Sequence, residues 1–255
     1  MRKSFIYTYT RLQARHGMRP DEHIWQIVDS KKDLANFLQA ARQTTLKNWV
    51  AGFQATDNHH AIETTIIRLY QEYAIDLARW VPSPWRDAVK WIASLPYLPA
   101  IQHLISGNSP QSWMLTNPDL KDFTASNLEL RLDNFSQSSY APLLEAWQAD
   151  QSLLTGWLKH WRSLWPEKKP AQQQALNQLI NLVMQHGEIF RQLSPGMTWR
   201  QRQQLAAKLT MMFRNYAYQP VAVFIHLLLV ALDLERLRGS IMRRSLFPDY
   251  VEKSA

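Results

Sequence analysis

The chain has 255 residues, 46% hydrophobic and 20% charged, with 7 Gly, 13 Pro, 11 Trp and no Cys. That is a globular composition, long enough for one large domain or two small ones, and it excludes disulfides, thiol nucleophiles and cysteine-based zinc sites. The net charge of +8 and pI near 9.7 suit an anionic partner (nucleic acid, an anionic lipid surface or an acidic protein face), and a solvated basic surface accounts for them equally well.

The pattern along the chain is helical. Tyr7 to His16 reads as a short helix ended by Gly17, Pro20-Asp21 opens another, and Asp29-Ser30 can cap a third through "KKDLANFLQAAR". From His59 to Val81, Ile62, Ile66, Leu69, Tyr73, Leu77 and Trp80 recur at three- and four-residue steps and predict one apolar face. "SPWRDAVKWIASL" places Ser83 as cap and Pro84 at the first helical position, before a Trp85/Val89/Ile92 stripe. A short helix from Pro99 ends at Gly107, and residues 107–127 read as a surface loop with a short helical piece. "SLLTGWLKHWRSLW" (152–165) is followed by the break "PEKKP" (166–170). Further helices are expected from Ala171 to about Leu193, Thr198 to about Asn215 and Pro220 to about Arg244. No period-2 run is bounded by hairpin turns, and Gly is scarce. The expectation is an all-α chain of roughly ten helices. We read it as a single multi-helix domain of repeated bundles, divided as 1–107, 108–193 and 194–255.

The amino end, "MRKSFIYTYTRLQARHG", has no uninterrupted apolar stretch and does not read as a signal peptide. The longest apolar run, "VAVFIHLLLVAL" at 221–232, is interrupted by His226. It falls short of the ~20 residues that span a bilayer, so it reads as a buried core helix. The expected location is cytoplasmic, or peripheral on the inner face of a membrane.

One phrase is written twice. "QTTLKNWVAGFQAT" (43–56) and "QSSYAPLLEAWQAD" (137–150) share Gln, two hydroxyl residues, a large apolar residue, an apolar pair and an aromatic-Gln-Ala ending, 94 positions apart. A hydroxyl that caps a helix start, followed by an apolar stripe, explains each copy; the matching Gln and ending argue for duplication.

Residues with chemical potential are few. "HHAIE" sets His59 and His60 four and three positions before Glu63, a spacing that could present two metal ligands. His16, His23, His103, His160, His186 and His226 supply no paired motif to complete such a site, so solvated helix-start residues are the commoner reading. Asp233 and Glu235 lie among Arg236 and Arg238, where ion pairs within or between helices are the plain explanation. In "WRQRQQLAAKLTMMFRN" (199–215), Arg200, Arg202, Lys208 and Arg214 interleave with Trp199 and Phe213. That pattern fits phosphate and base contacts. It fits better an amphipathic helix whose Leu205, Leu209, Met212 and Phe213 face a core. No nucleophile elbow, phosphate loop or dinucleotide fingerprint occurs. The sequence therefore nominates no catalytic, cofactor-binding or metal-binding residue.

Three regions together resemble the central-stalk socket family (the C/d family) of rotary V-type (A/V-type) ATPases. "YTYTRLQAR" (7–15) is similar to the family's opening helix, with Arg11-x-x-x-Arg15. "DLANFLQAARQTTLKNWV" (33–50) resembles its recurring Asp-Leu helix with a following Thr, and the second copy at 137–150 suits an internally repeated family. "PVAVFIHLLLVALDLERLRGSIM" (220–242) is similar to its closing helix. The family is built from three bundles; a third copy falls at 186–215, where "HGEIFRQLSPGMTWRQRQQL" matches poorly. The resemblance implies a non-catalytic coupling subunit without cofactors. Its partners would be the central-shaft subunit and the membrane rotor ring, with peripheral membrane contact, C-terminal basic residues near membrane or ring, and no nucleic acid. Two other classes stay open: a helical adaptor or nucleic-acid-binding protein with a basic surface, and a metal- or isoprenoid-type helical enzyme supported by "HHAIE" alone.

Overall fold

The computed structural model describes residues 2–166, 169–192, 194 and 197–247. In chain order the elements begin with α1 (Arg2–Gly17), α2 (Glu22–Asp29), α3 (Leu34–Arg42), α4 (Lys47–Val50) and α5 (His59–Ala78). After a 3-10 turn at Ser83–Trp85 come α6 (Arg86–Ile92), α7 (Leu98–Ile105), α8 (Ser112–Thr116), α9 (Leu128–Ser136), α10 (Ala141–Gln148) and α11 (Leu153–Ser163). The chain closes with α12 (Pro170–Gln192), α13 (Thr198–Asn215) and α14 (Val221–Leu246). The protein is all-α, with no strand among the described residues. It forms two compact units: Met1–Ser83 with Glu167–Ala255, and Pro84–Pro166. These limits divide the chain elsewhere than at the expected 107/108 and 193/194 boundaries.

The first unit is organised by α14, which packs against α13, α5, α1, α12 and α3. Helices touched on several sides bury nearly their whole circumference. Residues Val221 to Leu227 of α14 are accordingly all buried, His226 included. The face α5 buries runs through Ile62, Ile66, Tyr70, Ala74 and Leu77. The expected Leu69 and Tyr73 are half-buried at its edge. Where Asp29-Ser30 was expected to cap the third helix, Asp33 does so, accepting from the amide of Asn36 at 2.8 Å. Asp29 is occupied elsewhere: its carboxylate accepts from Ser240 and Arg236 of α14.

In the second unit α11 is threaded by indole hydrogen bonds. Trp161 donates to the carbonyl of Ala88 (3.1 Å), Trp157 to the Ser94 hydroxyl (2.9 Å) and Trp91 to the carbonyl of Trp157 (3.2 Å). Burying an indole favours a partner for its N–H, and three Trp find one here. Helices α10 and α11 cross closely at Gly156: a Cβ there would lie 2.4 Å from that of Ala146. The segment 107–127 is more anchored than a surface loop. It contains α8 and a 3-10 turn at Lys121–Phe123, and buries Met114, Asn117, Leu120 and Phe123. Asn117 donates to the hydroxyl of Tyr97 at 2.9 Å.

The twice-written phrase is a structural repeat, and it extends well beyond the matching letters. At an offset of 94, α3 (Leu34–Arg42) corresponds residue for residue to α9 (Leu128–Ser136), and the starts of α5 and α11 coincide. The cap Asp33 matches Asn127, and Asn58 matches Ser152; each accepts an amide of its first turn. The hydroxyl residues act alike. Thr44 donates to the carbonyl of Ala41 and accepts from the amide of Leu46, while Ser138 donates to Phe135 and accepts from Tyr140. The hydroxyl thus fastens the end of one helix to the start of the next; it is not the simple helix cap expected.

A buried guanidinium serves each copy, and the two share one matching carbonyl. In the second, Arg131 of α9 donates to the carbonyls of Ala125, Leu104 and Asn108. In the first, the residue at the place of Arg131 is Phe37. Arg244 of α14 lies over that ring, 4.3 Å from its centre, and donates to the carbonyls of Lys31 and Asp29. Lys31 and Ala125 are themselves 94 apart. The same local need is met from within the helix in one copy and from the end of α14 in the other. No third copy is seen among the described residues of 186–215, which form the end of α12 and the single helix α13; Leu193, Pro195 and Gly196 lie outside them.

Candidate functional site

The densest chemistry outside the core is a charged seam along α14. Helical spacing sets Asp233, Arg236 and Ser240 on one side and Glu235 and Arg238 on another. Each finds a partner on a different helix or loop. Arg19 holds Asp233 through two hydrogen bonds, 2.6 and 2.9 Å, and reaches the carbonyl of Leu229. Arg236 pairs with Glu22 (2.8 and 3.0 Å) and Asp29 (3.3 Å), and its guanidinium lies near the rings of Trp25 and Trp199. Arg238 grips both carboxylate oxygens of Glu63, and Arg202 pairs with Glu235. The ion-pair expectation for the acids of α14 therefore holds, with the pairs running between helices.

These pairs set the local titration. Hydrogen bonds from Arg236 hold the Glu22 carboxyl below its usual range, against a modest burial cost. Burial pushes the Asp233 carboxyl up, the pairing with Arg19 opposing it. An acid that is gripped by Arg on a structural seam is poorly placed to transfer protons.

The residues singled out in the sequence fall as follows. His59 and His60 are exposed, their rings 4.0 Å apart, and Glu63 is engaged by Arg238. Among the described residues no group of three or more His, Cys, Asp or Glu could hold a metal ion. On α13, Leu205, Leu209 and Phe213 are buried as expected, and Met212 is half-buried. Arg200, Lys208 and Arg214 are exposed, but Phe213 is buried against the rings of Tyr9 and His16, and Trp199 covers Arg236. Phe213 is thus not presented for base stacking, whereas Trp199 keeps an exposed edge.

One polar cluster escaped the sequence reading. His226, fully buried on α14, shares a 2.6 Å hydrogen bond between its Nε2 and the hydroxyl of Tyr73. Its Nδ1, and that of His16, meet no hydrogen-bond partner. Burial, reinforced by Arg19 and other neighbouring cations, pushes His226 down to about 3 and His16 down to about 4. Both imidazoles are therefore neutral at pH 7. Beside them Arg15 pairs with Asp76 (2.9 Å) and stacks on Trp80, 4.1 Å from the ring centre. Arg11 lies at the same distance from that ring. The Arg11-x-x-x-Arg15 spacing was the signal that could have found this arrangement, since residues four apart share a helix face.

Charge is divided unevenly. Residues 84–166 hold six Lys/Arg against seven Asp/Glu, a net −1, which leaves +9 on the rest of the chain. No helix among the described residues is long and apolar enough to cross a membrane. Comparisons with protein-family models, with curated proteins and with solved structures find no match to this chain.

Proposed function

We propose that the chain is a non-catalytic coupling subunit of a rotary V-type ATPase, linking the membrane rotor ring to the central shaft during ion transport. The observation that carries this reading is the 94-residue repeat. A helix capped by Asp or Asn, a Gln-hydroxyl-hydroxyl turn and a second Asx- or Ser-capped helix recur with the same hydrogen bonds. Internal repetition of this kind is what the resemblance to the central-stalk socket family implies. The three regions that carry the resemblance also belong to one packed assembly, in which α14 contacts both α1 and α3. Ion pairs that fasten α14 to neighbouring helices suit a body that transmits torque. The +9 carried outside residues 84–166 suits a position beside anionic headgroups or an acidic shaft end.

The protein would sit on the cytoplasmic side of the ring, peripheral to the membrane, and would need no cofactor. The test is affinity purification of the tagged chain from its own cells in mild detergent, followed by mass spectrometry. Co-purification of ATPase head subunits with a proteolipid ring protein is the expected result. Recovery of the chain alone, or with nucleic acid that dissociates steeply with salt, would refute it and favour the adaptor or nucleic-acid reading.

A further inference from the structure

Helix α13 carries four basic residues, Arg200, Arg202, Lys208 and Arg214, and no acid. Its apolar side is committed to the core through Leu205, Leu209 and Phe213, and Arg202 turns inward to Glu235. The exposed Arg200, Gln204, Ala207, Lys208, Met211 and Arg214 all fall on the opposite side, within one arc of about 120° at 3.6 residues per turn. Arg200 and Arg214 stand about 21 Å apart along the axis, at 1.5 Å per residue. Arg200, Lys208 and Arg214 join no ion pair among the described residues.

The borders of this stripe keep its sign. Glu22 stands beside Gln203 at one margin and is engaged by Arg236. Lys208 acts on His186 of α12, and the sole acid of that helix, Glu188, is two positions from His186 and so on another side of it. Arg214 acts on His16 of α1, a helix that also carries no acid. An unopposed cationic stripe complements an anionic surface. Its other side chains favour lipid headgroups over nucleic acid. No aromatic ring lies in the arc: Phe213 is buried on the far side, and Trp199 sits against Arg236 outside it, so bases would find no stacking platform. The large apolar side chain that does lie among the cations is Met211, 59% exposed, which suits the boundary between headgroups and acyl chains.

We infer that the α13 stripe lies flat on an anionic phospholipid surface, with Arg200, Lys208 and Arg214 against headgroup phosphates and Met211 between them. The core holds the apolar side of the helix, so the contact is electrostatic and superficial, without insertion. For its setting the inference rests on the coupling-subunit reading, which puts the chain beside a membrane. Its test needs neither ring nor shaft, so vesicle binding can fail while co-purification succeeds, and the reverse.

The experiment is co-sedimentation of the full-length chain with vesicles of equal phosphatidylglycerol and phosphatidylcholine, against vesicles of phosphatidylcholine alone. Binding to the first and not the second is expected, falling as salt screens the charges. Each headgroup-facing cation is worth about fivefold in binding, so Arg200→Gln, Lys208→Gln and Arg214→Gln together should weaken it about a hundredfold. A second triple variant, Lys31→Gln, Lys32→Gln and Lys47→Gln, removes the same charge elsewhere and should stay within about threefold of the parent. All six positions are exposed, and far-UV melting curves of both variants should match that of the parent. Absence of vesicle binding would overturn the inference, as would equal weakening by the two triple variants. Capture by duplex DNA in place of vesicles, lost with the α13 cations, would also overturn it and make the stripe a nucleic-acid surface.

Discussion

Replacing Arg244 by Met would remove three hydrogen bonds, those to the carbonyls of Lys31, Asp29 and Ser240. Arg244 itself is 3% exposed. The Met side chain would keep much of the contact with Phe37. What is lost is the pairing of part-buried carbonyls, worth at most about 1–3 kcal/mol for each that finds no new partner. The Ser240 carbonyl lies within α14 and retains a helical partner, so two carbonyls count. The expected cost is at most about 2–6 kcal/mol, measured as a shift in the urea midpoint followed by far-UV circular dichroism. The second copy supplies a rescue. Adding Phe37→Arg to R244M recreates the arrangement of Arg131, with the guanidinium delivered from inside the helix to the carbonyl of residue 31. The double variant should recover about half of the loss. If R244M with Phe37→Arg were less stable than R244M alone, the correspondence between Arg131 and Arg244 would be wrong.

Three further outcomes follow from the geometry. His226, at about 3 in the folded chain against an ordinary 6.5, binds a proton more readily when unfolded; its contribution is present above pH 6.5 and is lost as pH falls toward 3. Arg19, His16 and Arg15 act on it through charge, and the Tyr73 hydroxyl is hydrogen-bonded to its Nε2. His226→Gln should therefore flatten stability between pH 6.5 and 4, a span worth about 3 kcal/mol at most, and an equally steep profile in the variant would refute this. Gly156→Ala would drive a methyl group into Ala146 and the carbonyl of Pro142; a loss of about 1–3 kcal/mol in thermal or urea unfolding is expected. Zinc chloride should leave the melting temperature unchanged, because Glu63 is committed to Arg238; a metal-dependent rise abolished by His60→Ala would overturn that reading.

The helices were legible because their start signals are local. Asp21, Asn58 and Ser152 each hydrogen-bond within three residues of themselves, so the letters carry the geometry. The repeat was legible for the same reason: Thr44 and Ser138 act on neighbours two or three positions away. Arg131 and Arg244 could not be read in this way. Their carbonyl partners lie up to 27 and 215 positions away, and a lone Arg in a helical pattern looks like a solvated charge. Substitution of Phe37 by Arg131 across the copies also breaks the apolar pattern that would have aligned α3 with α9 by eye. The α14 acids were placed correctly as ion-pairing residues, but their partners Arg19, Glu22 and Glu63 belong to other segments, and spacing within one helix says nothing of them. Along α5 and the turn after it Ile62, Ile66, Leu77 and Trp80 are buried as expected, but in the middle of the stripe Tyr70 and Ala74 are covered where Leu69 and Tyr73 were expected.

Delivery of Arg244 from the far end of the chain makes the order of synthesis matter. The hydrogen bonds of Arg131 and of the Trp91, Trp157 and Trp161 indoles lie within 84–166, so they can close soon after that stretch leaves the ribosome. The first copy emerges earlier yet must wait for α14. At about 5–20 residues per second, the delay between residue 83 and residue 246 is on the order of ten seconds or more. Throughout that interval Phe37, Leu77 and the loop carbonyls of Asp29 and Lys31 lack the helix that covers them. The earliest part of the polypeptide is thus the last to be finished, and a nascent chain halted before α14 would present its first bundle, rather than its second, to chaperones and proteases.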